Sequence, residues 1–346
     1  MRPQSFQGFL VICLLVFVAS RAEHSEEDHV EMEEDKIILG IYIVYDDAFI
    51  KNFLFNKGDK PFNDYFTALC NAAEAYFKDL RDPRVMLALA GTSRLEEKNI
   101  IQTTLKDRKT YVDGEKTLDK FYDIMTWNES LPEGVDVVFL VTGTETWITE
   151  EAVTNEWKGL AAPKSICFSA KTVQAKAVGI VYDDGKNFNG VPVLALQVAM
   201  LLGASKDSKR GKYCPSSEGY LTSSKDGGSR PALSACSRSA LREFYFKNKD
   251  KDYICWNDFP KAAQPGNKRL PVDFYLEKDH DICESESTRR RTLYTCENIA
   301  NAKRLLDCQV ACCDYWQNRE WFQKRVAAPD GTSCGKNTIC LRGQCV

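Results

Sequence analysis

Histidine is almost missing from this chain. Of 346 residues only His24, His29 and His280 carry an imidazole, and none lies between positions 30 and 279. A two- or three-histidine zinc site is thereby excluded from that stretch, because its ligands are not there. Long apolar runs are missing too. The run Phe9–Ala19 holds about 11 residues, short of the roughly 20 that a bilayer-spanning helix needs, and no later run reaches that length. Basic stripes with interleaved aromatics do not occur. A formal charge of -3 and a pI near 5.8 give no electrostatic reason to expect nucleic acid as a partner.

Cysteine, by contrast, is plentiful, with 14 residues. The N-terminus combines Arg2, the apolar run and the small residues Ala19, Ser20 and Ala22, which is the pattern of a cleavable secretory signal over residues 1–22. A chain that enters an oxidising compartment pairs most of its cysteines, so a secreted, extracellular, disulfide-bonded protein is expected. Loss of Cys13 with the signal leaves thirteen, an odd number, so at least one thiol is free or bonded to another molecule. The sequon Asn128-Glu129-Ser130 suits a glycosylated, exposed loop.

Residues 23–35 form an acidic stretch (Glu23, Glu26, Glu27, Asp28, Glu31, Glu33, Glu34) that reads as a solvated, disordered tail. His24 and His29 within it are read as solvent-exposed rather than as a weak divalent-ion site. Beyond it, Lys36–Tyr45 (KIILGIYIVY) predicts a buried strand, and Phe66, Leu69, Ala73, Tyr76 and Phe77 stand at helical spacing within 62–80. Further strands are predicted at Arg84–Leu89, Val135–Val141 and Ala177–Tyr182, with a helix over Gly114–Met125. This alternation predicts an α/β or α+β layer around one mixed sheet. The almost wholly apolar Val191–Ala204, with Pro192 in its first turn and Gly203 near its end, predicts a core helix. Composition shifts from Cys283 onward, where eight cysteines crowd the tail and apolar periodicity fades. Two domains follow, one over 36–258 and a smaller disulfide-held one over 259–346. Asp183-Asp184-Gly185 lacks the ligand pattern of a calcium loop and reads as a solvated turn. Arg289-Arg290-Arg291 reads as exposed surface, with a sulfated glycan or other anionic partner as the sharper alternative.

Several of these segments resemble a known family. Leu196–Asp207 (LQVAMLLGASKD) looks like the zinc-binding helix of metzincins, whose pattern H-E-x-x-H-x-x-G-x-x-H is followed by Asp in the reprolysin branch. Gly203 and Asp207 fall where that family has its turn glycine and trailing aspartate. Asp136–Gly143 resembles the family's edge strand, and Ala177–Asp184 the strand and loop before the helix. Cys214 with Gly219–Ser224 resembles the approach to the Met-turn, and Ser234–Phe244 the final helix. The tail, Ala328–Gly335 and Cys340–Val346, resembles cysteine-rich modules that follow such domains, especially in reprolysin-like proteins of tick saliva. The resemblance implies a metzincin-like (zincin) domain with a twisted mixed sheet, a small disulfide-rich module after it, and the disulfides Cys167–Cys255 and Cys214–Cys236. Those pairs leave Cys70 over, either as a buried free thiol or as the link of a disulfide-linked dimer.

The residues that would carry the family's chemistry are replaced. At its ligand positions stand Leu196, Met200 and Lys206: a hydrocarbon, a thioether that binds zinc poorly, and a cation. Gln197 stands in place of the glutamate base, and an amide does not take a proton from water at neutral pH. Thr222 occupies the Met-turn position. No zinc and no other cofactor is expected. The resemblance thus implies a pseudoprotease that binds an extracellular protein in the manner of a salivary effector. The alternative is a zinc metalloendopeptidase that retains activity through an unrecognised site. Arg-Gly-Asp is absent, so integrin recognition through that tripeptide is not expected.

Overall fold

The computed structural model describes residues 35–53, 61–125, 130–150, 153–167, 177–207, 212–224, 226–261, 263, 268–278, 280–288, 291–296, 307–316 and 319–346. The expected signal, the acidic stretch up to Glu34, Asn128, Arg289 and Arg290 lie outside the described residues. The first elements are β1 (Lys36–Tyr45), α1 (Asp47–Asn52), α2 (Pro61–Glu74), β2 (Arg84–Arg94), β3 (Thr103–Lys106), β4 (Lys109–Asp113) and α3 (Gly114–Met125). Then come β5 (Val137–Thr142), β6 (Thr146–Glu150), β7 (Val153–Trp157), β8 (Gly159–Ala161), β9 (Ala177–Tyr182), α4 (Val191–Leu201), α5 (Ala235–Asn248) and α6 (Pro271–Lys278). The chain ends with β10 (Tyr294–Thr295), β11 (Gln309–Trp316), β12 (Arg319–Ala327), β13 (Ser333–Gly335), β14 (Thr338–Leu341) and β15 (Gln344–Cys345).

Five strands form the principal mixed sheet in the order β2-β1-β5-β9-β8. All neighbours run parallel except β8, which lies antiparallel to β9 at one edge. Successive side chains point to opposite faces of a strand, and here both faces are covered. Ile37, Leu39, Ile41 and Ile43 of β1, with Val137, Phe139 and Val141 of β5, enter the core that also holds α2, α4 and α5. Val44, Val138, Leu140, Val178 and Ile180 enter a second core with Phe121 of α3. Strands buried on both sides read as unbroken apolar runs, which is why β1, β5 and β9 stand out in the sequence. The expectation that Asp136–Gly143 forms an edge strand is not met. All six residues of β5 are buried between β1 and β9, and the edge belongs to the three residues of β8.

Residues 34–346 form one compact unit. Helix α6 contributes Phe274 and Tyr275 to the first core, and Asn71 of α2 donates from Nδ2 to the carbonyl of Arg269 at 2.7 Å. Past α6 the apolar clusters shrink to small groups built around cysteines. Four disulfides hold this part: Cys283–Cys312, Cys296–Cys313, Cys308–Cys340 and Cys334–Cys345. Upstream, Cys167 is joined to Cys255 and Cys214 to Cys236. Cys70 is unpaired, 1% exposed, and packed in the first core. Burial pushes its thiol pKa up, with the Glu74 charge adding to the effect, so the reactive thiolate is scarce. A dimer linked through Cys70 is therefore not what this packing favours, since a partner's sulfur has no path to it without local unfolding. Among the described residues no helix is long and apolar enough to cross a membrane.

Candidate functional site

Helix α4 forms because an apolar stretch with Pro192 in its first turn meets burial on every side; nine of its eleven residues are buried. Its end is fixed by chain geometry. Gly203 has φ +92° and donates to the carbonyl of Met200 at 3.0 Å, while Ala204 donates to that of Ala199 at 2.9 Å, a Schellman arrangement that needs a left-handed residue. The helix packs on α2, β8 and β9. Leu196 and Gln197 are each 3% exposed, Met200 is half-buried, and Lys206 lies exposed beyond the helix end. Strand β8 comes close enough that a Cβ on Gly159 would stand 2.6 Å from Val193 Cγ1 and 3.0 Å from Gln197 Nε2. Three zinc donors would have to converge on an open position. These side chains do not fit that need: Leu196 is core packing, and Lys206 is a cation at an exposed position.

The segment after α4 is held by hydroxyls and one carboxylate. Thr222, at the Met-turn position, is buried and shares a hydrogen bond of 2.8 Å between its Oγ1 and Ser237 Oγ. Ser234 Oγ donates to Asp207 Oδ1 at 2.8 Å, and as the N-cap of α5 it accepts from the backbone N–H of Ser237 at 3.1 Å. The Asp207 N–H donates to the Thr222 carbonyl at 3.0 Å. This network ties the loop to α5.

The pair Asp183-Asp184 is not the solvated turn expected from the sequence. Asp183 is 0% exposed and accepts from Tyr65 Oη at 2.8 Å, Gly185 N at 2.7 Å and Gly190 N at 2.8 Å. Those three donors offset its desolvation and set the loop that enters α4. Burial, with the Asp184 charge beside it, still pushes its pKa up to about 7. Near it, Phe188, Pro192, Ile282, Arg325, Asp330 and Arg342 line a cavity of about 420 Å³. Asp330 accepts from Arg342 N at 2.6 Å, and burial raises its pKa to about 6. The Arg342 guanidinium reaches the carbonyls of Asp226 and Gly227 at 2.9 and 3.0 Å, so the C-terminal hairpin is latched to the loop before α5.

Both carboxyls sit above their unfolded value near 3.9, so between about pH 4 and pH 7 the folded chain binds protons more tightly than the unfolded one. The stability they contribute is therefore present at the acid end of that window and lost as pH rises through about 6 and then about 7. Replacing Asp330 with asparagine, which keeps an acceptor for Arg342 N, removes one of the two titrations. Thermal unfolding of wild type and Asp330→Asn across that pH range will show a smaller gain on acidification in the variant; identical profiles would contradict the assignment.

Of the remaining sequence candidates, Arg291 donates from Nη1 to Gln323 Oε1 at 2.8 Å, and His280 Nδ1 lies 3.3 Å from Glu284 Oε2. Among the described residues the groups of potential metal ligands are Cys308, Cys334 and Cys345, and Cys296, Cys313 and Glu320; every sulfur in them is in a disulfide. The sequence places Asp183 in a solvated turn and does not single out Asp330, because the chain neighbours of neither acid mark its burial.

Fold and cysteines together define a disulfide-bonded, mixed α/β protein, as an oxidising compartment permits. No family model matches the chain, and no curated protein matches it. Among solved structures, a chain from a chaperone-substrate complex is similar at a TM-score of 0.39 and 11% identity, over 60% of this chain and 34% of that one.

Proposed function

We propose that the chain is a secreted, catalytically inactive relative of the reprolysin-type metzincins that acts by binding an extracellular protein. The observation that carries this reading is the state of Leu196 and Gln197: where the resemblance calls for a zinc ligand and a general base, both side chains are packed 3% exposed inside α4. The mixed sheet with one antiparallel edge strand lying against α4 supports the metzincin-like layout. The disulfide Cys214–Cys236 beside α5 fits the same frame. With neither metal nor base, the surface around α4 and the cysteine-rich tail are left to recognition.

The test uses the full secreted chain in two assays: cleavage of a broad peptide mixture, and reversible binding to purified plasma and matrix proteins. The reading expects saturable binding to an intact partner and no new peptide termini. Chelator-sensitive cleavage would overturn it.

A further inference from the structure

The cavity beside Asp330 is walled by segments far apart in the chain. The helical turn Ala75–Phe77 after α2 brings Tyr76, the loop before α4 brings Asn187 and Phe188, and β12 with the residues after it brings Arg325, Val326 and Asp330. Most polar groups on this wall are already engaged. Lys324 pairs with Glu286, and Arg342 reaches Asp226 at 4.0 Å as well as its two carbonyls. Asn189 Oδ1 accepts from Asp184 N at 3.1 Å, and Ser285 Oγ donates to the Ile282 carbonyl at 2.8 Å. Three inner groups are left over. Tyr76 is 1% exposed, yet its Oη has no hydrogen-bond partner among the described residues, and neither has Asn187 Oδ1. Burial and the Asp330 charge raise the Tyr76 pKa, and the Arg342 guanidinium opposes them from nearby without reaching hydrogen-bonding geometry. The Asp330 carboxylate accepts from Arg342 N alone and has no cation within ion-pair distance among the described residues.

A buried polar atom without a partner destabilises the fold, so these groups suit a ligand that completes them. At neutral pH Asn187 Oδ1 and the Asp330 carboxylate only accept, and Tyr76 Oη accepts while it donates. An ammonium group, with three donors and a positive charge, matches that set. Lys158 and Arg325, which are more exposed, have no carboxylate within ion-pair distance among the described residues; Lys158 lies over the Tyr182 ring at 5.8 Å. Asp184 and Asp226 sense the Lys158 charge only from beyond that distance. Lys158, Lys324, Arg325 and Arg342 thus face Asp226, Glu286 and Asp330 across the cavity, so a simple cation is repelled and a simple anion leaves Asp330 and Asn187 unmatched. The three carboxylates do not converge as metal ligands do. A zwitterion meets both demands, and a volume of about 420 Å³ is of the size that takes a small organic ligand. We propose that the cavity binds a short peptide, of about two or three residues, by its ends. Its ammonium sits on Asp330, Asn187 and Tyr76, its carboxylate faces Lys158 and Arg325, and its side chains lie on Phe188, Pro192 and Val326. This assignment does not depend on the reading of α4 given above.

The full chain is to be titrated calorimetrically with alanyl-leucyl-alanine, its N-acetylated and C-amidated forms, and free leucine. The free tripeptide is expected to bind saturably at one per chain. Acetylation is expected to weaken binding by at least about tenfold, because it removes the charge and donors that Asp330 and its neighbours meet, and amidation by about threefold or more. Free leucine carries the same two charges on a shorter body and is expected to bind about tenfold or more weakly than the tripeptide. Asp330→Asn is expected to lower affinity at least about tenfold, and Lys158→Gln with Arg325→Gln to make the free and amidated peptides equal. Tyr76→Phe removes a hydroxyl that has no partner in the free chain, so it is expected to weaken binding by about threefold or more while leaving the melting temperature of the free chain unchanged or raised. No binding by any of these peptides, equal affinity for the free and acetylated tripeptide, equal affinity for leucine, or a lower melting temperature of Tyr76→Phe with unchanged affinity would each overturn the proposal.

Discussion

Leu196→Ala lowers the unfolding free energy by about 2–5 kcal/mol, the range for truncating a buried leucine. The side chain is 3% exposed, sits in the first core, and belongs to a helix packed by α2, β8 and β9. Its neighbours are held by the sheet and cannot close over the space, so lost transfer energy and a cavity both count. Met200→Ala, at a half-buried position, costs less. Urea titration of the two variants checks the order. If Leu196 instead lined an open cleft awaiting a metal, water would fill the gap and truncation would cost under about 1 kcal/mol. A small effect therefore argues against the packing role assigned to this position.

Replacing Cys167 and Cys255 together with alanine destabilises the chain by roughly 4 kcal/mol, with a range of about 2–5. The bond closes a loop of 88 residues in sequence separation, so its absence returns much freedom to the unfolded chain. It also anchors the segment after α5: Cys255 N–H lies 3.0 Å from Cys167 Sγ, and the next residue, Trp256, is 0% exposed and accepts from Ile38 N at 3.0 Å. Loosening that segment unpins β1 at its start. The double variant is expected to unfold at a temperature several degrees lower, while Cys214→Ala with Cys236→Ala, which opens a loop of only 22 residues in separation, costs less. Equal losses would mean that loop length is not what sets these contributions.

The strands with two buried faces were legible in the sequence. β1 and β9 begin and end where their apolar runs do, and α3 matches its predicted span. β2 continues to Arg94, past the expected end, because its last residues are polar at an exposed end of the strand. The hairpin of β3 and β4 left no mark. Its two-residue turn is Asp107-Arg108, with φ +45° and +64°, so the left-handed turn lacks the glycine that usually announces it. β8 was hidden by its brevity, and the edge position of β5 came from the family resemblance, since a buried run does not itself say which strands flank it. For the site, the apolar run was enough to place Leu196 and Gln197 on a buried helix. The sequence did not reveal the buried Asp183, whose partners Tyr65 and Gly190 come from distant segments. Nor did it reveal that Tyr315, Trp321 and Phe322 stand largely in solvent, since an aromatic residue's neighbours in sequence do not report its exposure.

Zinc titration followed by thermal unfolding tests the central claim most directly, because a ligand that binds only the folded state must raise its melting temperature. The account predicts no shift with zinc, none on adding chelator, and no metal retained after gel filtration. A rise that saturates at one zinc per chain, is reversed by chelator and is lost when the α4 region is altered would contradict it.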